Sequence, residues 1–134
     1  MNDFNTLIAF LMAIEGKAKD IHYTCSGDDF YGKHLFADRI ADGIDEFIDQ
    51  IKETCLLGKG TKPLFAYQYF KMADDKLNAD TSFKSLLNLI LDCLAHIENM
   101  NNVSRGDSKL LDDIANKLQN DKGLLHIMFG DYNV

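Results

Sequence analysis

Apolar residues recur along this chain at intervals of three and four, the spacing of helices that bury one face, and not in the strict alternation of a half-buried strand. Four long stretches carry the pattern, over residues 2–24, 28–57, 80–102 and 107–129. Phe4, Leu7, Ile8, Phe10, Leu11 and Ile14 mark the first, and Phe36, Ile40, Ile44, Phe47, Ile48, Ile51 and Cys55 the second. Phe83, Leu86, Leu87, Ile90, Leu91 and Leu94 mark the third. Cys25-Ser26-Gly27-Asp28-Asp29 can end one helix and cap the next, and Asp80 or Thr81 can cap the third. Gly58-Lys59-Gly60-Thr61 reads as a loop, because the upstream glycine and preceding strand of a phosphate loop are both missing. Pro63 can then open a short helix through Phe65, Tyr67, Phe70 and Met72. Such a long connection lets the second and third helices run parallel, so the predicted architecture is an all-α four-helix bundle with a short extra helix between helices two and three.

With 134 residues and one proline the chain reads as a single domain, 1–134, long enough for a real core. The apolar start lacks a basic flank and carries Asp3 and Glu15, so it reads as a core helix rather than a secretory signal. No apolar run reaches the ~20 residues of an ordinary membrane span. The net charge of −7, with Lys52, Lys59, Lys62, Lys71 and Lys76 scattered, disfavours direct DNA binding, which draws on clustered basic residues and counterion release. Cys25, Cys55 and Cys93 show no zinc-type pairing and fit reduced thiols in a cytoplasmic protein.

The candidate chemistry lies in His22, His34, Asp38, Asp49 and Glu53. On one continuous helix at about 100° per residue, with His34 at zero, Asp38 falls near ~40°, Asp49 near ~60° and Glu53 near ~100°. The apolar stripe falls at about 200–320°, so these side chains point away from their own core. Asp38 and Asp49 nevertheless lie roughly 16 Å apart along the axis, whereas the ligands of one ion sit only about 2 Å from it. His34 with Asp38 can grip one ion, and Asp49 with Glu53 another. An antiparallel copy would bring the two pairs together twice, giving two identical sites across a two-fold axis. Two imidazoles with three carboxylates suit iron, manganese or zinc better than magnesium or calcium. The plainer alternative is a solvated acidic helix face that also includes Asp42, Asp45 and Glu46.

The stretch Ile21-His22-Tyr23, Gly27-Asp28-Asp29-Phe30, His34 with Asp38, and Asp49 with Glu53 resembles the Dps family of mini-ferritins. That family's pattern is His-Trp, a Gly-x-x-Phe turn, a second His twelve residues after the first, an Asp four further on, and a later Asp-x-x-x-Glu. Leu57-Gly58, the segment with Pro63 and Phe65, and the run from Gly106 to Ala115 extend the likeness more weakly. Tyr23 stands where the family usually has Trp, Thr54 follows Glu53 where Arg is common, and no lysine-rich tail precedes the first helix. The resemblance implies a ferritin-like fold, a homo-oligomer built through a two-fold helix interface into a hollow dodecamer, and all five residues as ferroxidase ligands. The implied reaction is oxidation of Fe²⁺ by peroxide or dioxygen, followed by ferric storage, with Zn²⁺ or Mn²⁺ as substitute metals. Asp107, Asp112 and Asp113 would then be candidates for an iron-entry pore. His96 and His126 lack a ligand partner at close spacing and read as structural or surface residues. The rivals are a non-catalytic ferritin-like protein using metal as an assembly staple, and a nucleic-acid compactor.

Overall fold

The computed structural model describes residues 2–130, and they form an all-helical chain. Its α-helices are α1 (Asp3–Thr24), α2 (Phe30–Ala41), α3 (Ile44–Gln50), α4 (Ala66–Asp74), α5 (Phe83–Glu98) and α6 (Arg105–Met128). A π-helical segment, Ile51–Leu56, continues α3, and a 3₁₀ turn, Leu57–Lys59, follows it.

The expected helices at either end of the chain form nearly as the apolar spacing predicts. Leu7, Ile8, Leu11, Ile14, Ala18 and Ile21 bury one side of α1. Helix α1 packs on α2, α5, α4 and α3, α5 packs on α6, and α6 packs back on the π segment. The contacts therefore close a circuit around a shared core, with α1, the α2–α3–π segment, α6 and α5 as its sides.

The second stretch is not one helix from 28 to 57. It stops at Ala41 and resumes at Ile44, because Gly43 takes φ 82°, a left-handed conformation that glycine adopts without a Cβ penalty. Apolar spacing runs on regardless, with Ile40, Ile44 and Ile51 all fully buried. Ile51 and Leu56 are both at 0% exposure although five residues apart. The i→i+5 bonding of a π turn brings such residues onto one side, which an α turn does not.

Two expected caps also differ. Asp28 and Asp29 do not cap α2 through their side chains; Asp29 itself takes φ 55° at the N-cap, and Gly27 takes φ 77° before it. Helix α5 is capped by Ser82, whose Oγ accepts from the Ser85 amide at 3.1 Å. Asp80 acts one step earlier, its carboxylate accepting from the Ser82 amide at 2.8 Å. The short helix after Pro63 forms as α4, three residues on, with Gln68 Oε1 accepting from the Phe65 amide at 2.9 Å.

Candidate metal centre

His22 lies in the last turn of α1 and His34 in the second turn of α2, brought together by the turn between the helices. Each ring donates Nδ1–H to the other residue's backbone carbonyl, both bonds measuring 2.7 Å. The rings stack with centroids 3.6 Å apart and planes 18° from parallel. A carbonyl can only accept, so both Nδ1 atoms carry hydrogen, and in the neutral rings both Nε2 atoms hold a lone pair. Metal-binding histidines are oriented by this kind of bond through the other ring nitrogen. Helix economy explains why the pair forms here, since the His22 carbonyl lies in the last turn of α1 and lacks an intrahelical donor.

Aromatic neighbours surround the pair. Phe30 stacks against His34 at 5.3 Å, and Tyr23 meets His22 edge-on at 4.8 Å. Tyr23 and Tyr31 are largely exposed, at 78% and 69%, so the ring cluster faces outward from the bundle. The Cys25 thiol lies beside it, 3.8 Å from the His22 carbonyl and 3.9 Å from that of Phe30.

Asp38 is exposed one turn beyond His34 on α2. It borders a crevice of about 190 Å³ with Glu15, Lys19, Asp42 and Asp45. Burial, with a hydrogen bond and like charge from Asp45, raises the Glu15 carboxyl to about 7, against a small opposing pull from Lys19. Glu15 is a functional candidate that the spacing argument passed over. Its signal was a carboxylate directly after the apolar run from Leu7 to Ile14.

Asp49 on α3 and Glu53 in the π segment are both exposed, and among the described residues no side-chain partner holds either. The break at Gly43 removes the continuous wheel on which their angles to Asp38 were reckoned. The i, i+4 relation of His34 to Asp38 survives within α2, while the wider π turn alters that of Asp49 to Glu53. Among the described residues no three His, Cys, Asp or Glu side chains converge. Within one chain, then, the histidines meet, Asp38 follows one turn away, and Asp49 and Glu53 stand apart. The donors present, two imidazole nitrogens with carboxylate oxygens, fit a borderline divalent ion such as Fe²⁺, Mn²⁺ or Zn²⁺.

Most of the remaining charged candidates have partners within the chain. Asp107, 1% exposed in the first turn of α6, pairs with Lys59. Asp112 and Asp113 are exposed, the latter 3.4 Å from Lys109. His96 lies 2.9 Å through Nε2 from the Asp3 carbonyl and packs on Phe10, a structural tie between α5 and α1. Lys17 is buried at 1% exposure and donates to the Asn78 side chain and to the Asn78 and Asp80 carbonyls, anchoring the α4–α5 connection. Cys55 and Cys93 are buried free thiols, and burial pushes Cys93 up to about 12. No helix among the described residues is long and apolar enough to cross a membrane.

Comparison with protein-family models, curated proteins and solved structures returns no match.

Proposed function

We propose that this chain is the subunit of a ferritin-like, Dps-type iron-oxidising protein. Its working site would form between two copies, His22, His34 and Asp38 from one and Asp49 and Glu53 from the other. The observation that carries this reading is the reciprocal imidazole pair, which leaves two Nε2 lone pairs for a metal while the chain's own carboxylates Asp49 and Glu53 lie elsewhere. The circuit of four helical sides, with a short helix in the long connection, is compatible with the ferritin-like arrangement.

Fe²⁺ is the substrate. Two Fe²⁺ ions each give one electron to hydrogen peroxide, its O–O bond breaks, and two Fe³⁺ and two hydroxide ions result. Neutral imidazoles bind Fe²⁺, and carboxylates stabilise the higher charge of Fe³⁺, which favours loss of the electron. Dioxygen is the slower alternative oxidant. Ferric ions would then gather within a closed homo-oligomer, the dodecamer of the resembling family, in the cytoplasm. Consuming peroxide with iron suppresses hydroxyl-radical formation, so storage and detoxification are one activity.

Stopped-flow absorbance after mixing with Fe²⁺ and peroxide tests the reaction. Rapid ferric absorbance in wild type, lost in His34→Ala and Glu53→Ala, is the expected result. Variants that oxidise iron as fast as wild type would refute it. Metal-dependent dimerisation without oxidation would instead support the assembly-staple reading.

A further inference from the structure

In an unbroken helix the Ile44 amide would donate to the Ile40 carbonyl. The break at Gly43 frees that carbonyl, and Lys117 Nζ, reaching from α6, donates to it at 3.1 Å. Lys117 is itself held, since Asp121 one turn along α6 accepts from the same ammonium at 2.8 Å and is 3% exposed. Asn120, beside Asp121, accepts from Arg39 at 3.3 Å, a second tie from α6 to the last turn of α2. A cation at a helix C-terminus also meets the negative end of the helix dipole. Beyond the break, α3 stands off from α6 across a crevice of about 360 Å³ lined by Gly43, Glu46, Phe47, Gln50 and Lys117. The tie is therefore made at the bend and not along α3.

We propose that Lys117, held by Asp121, is a positioning residue for the metal site. Its bond to the Ile40 carbonyl sets the bend at Gly43 and, together with the packing of α1 on α3 and of α6 on the π segment, the placement of Asp49 and Glu53 relative to His34 and Asp38. This inference rests on the intersubunit reading above. Each chain of a two-fold dimer gives an imidazole half to one site and a carboxylate half to the other, so one bend governs both sites. Glu53 lies ten residues beyond Gly43, about 15 Å along the axis, so a 10° change of bend moves it by roughly 2.6 Å. Metal–ligand distances tolerate only about 0.2 Å. A small error of bend would thus displace the carboxylates from both ions together.

Lys117→Met alone would strand the buried Asp121 carboxylate, which is costly for reasons unrelated to the bend. The test compares Lys117→Met/Asp121→Asn with Asp121→Asn, which keeps the Lys117 donor to Ile40. Co²⁺ is titrated as the probe, and amide hydrogen exchange is followed over residues 43–47. The double variant should keep its helical circular dichroism and the oligomeric size of wild type, bind Co²⁺ at least tenfold more weakly, and exchange faster over 43–47. Asp121→Asn, which loosens the hold on Lys117 but leaves its donor to Ile40, should fall between wild type and the double variant in both readouts, and Lys117→Arg should recover most of the affinity. Should the double variant fold poorly, Lys117→Gln/Asp121→Asn retains a side-chain hydrogen bond between the two positions and carries the same expectation. Wild-type Co²⁺ affinity in a double variant overturns the positioning role alone. No Co²⁺ binding by the wild-type chain overturns the intersubunit reading and this inference with it.

Discussion

At the α1–α2 junction both ring nitrogens that face protein are tied to carbonyls and the imidazoles are stacked, whereas Asp49 and Glu53 are exposed, with no side-chain partner among the described residues. The first region is organised by contacts within the chain, two hydrogen bonds worth about 1 kcal/mol each. The second has only its backbone placement, through a bend and a π turn. That contrast teaches where the cost of ordering falls. On the proposed function, the imidazole half would meet an ion already oriented, while the carboxylate half would gain order only when a second copy and a metal arrive.

Removing the organised half should have the largest effect. His34→Ala deletes one lone pair, the bond to the His22 carbonyl and the ring stacked on His22, so Co²⁺ affinity should drop by more than about 100-fold, beyond the 10–100-fold typical of outer orienting groups. Isothermal titration checks it, and a smaller loss than in Glu53→Ala would reverse the ranking of the two halves. Gly43→Ala acts on the other region by forcing a Cβ into a left-handed conformation, at a cost of about 1–2 kcal/mol in urea unfolding. An unchanged midpoint would mean that the bend relaxes freely. The same variant should weaken Co²⁺ binding without changing the reciprocal histidine bonds.

A subtler effect comes from Glu15, which joins α1 to α3 beside Asp38. Its folded carboxyl is raised to about 7 from an ordinary 4.5, so the folded chain holds a proton that the unfolded chain has released. The unfolded state binds fewer protons in that window, and stability should decline shallowly as pH rises from about 4.5 to 7. Glu15→Gln should flatten that part of the profile in denaturation measured at several pH values. The smallest effect expected is chemical. Cys25, at the imidazole junction, should react with a thiol reagent in the folded protein, while Cys93, buried and pushed up to about 12, should not. Mass spectrometry after brief labelling distinguishes them, and Cys25→Ser should leave Co²⁺ affinity unchanged.

Much of this contrast was legible in the residues. Apolar spacing located α1, α5 and α6 to within a few residues, because each buries one long stripe against the core. The twelve-residue interval between His22 and His34 marked the two residues that the turn brings together. The bend at Gly43 was not legible, since Ile40, Ile44 and Ile51 keep helical spacing across it and a single glycine costs a helix only about 1 kcal/mol. The π turn was hidden for a related reason: the five-residue step from Ile51 to Leu56 shows only when both are seen buried. Lys17 and Asp121 were hidden too, because their partners, the Asn78 and Asp80 carbonyls for one and Lys117 for the other, are set by tertiary contact or by burial. The reciprocal bonding of the imidazoles likewise depends on the geometry of the turn and not on residue type.

The central claim is that each metal site takes one half from each of two chains. It is tested most directly by refolding His34→Ala and Glu53→Ala chains together in equal amounts and counting Co²⁺ bound per chain. Half of the dimers should be mixed, and each mixed dimer should hold one site with both halves intact, so the mixture should recover roughly one quarter of wild-type capacity although neither variant alone binds. A mixture that binds no more Co²⁺ than the separate variants, while wild type binds fully, would contradict a shared site.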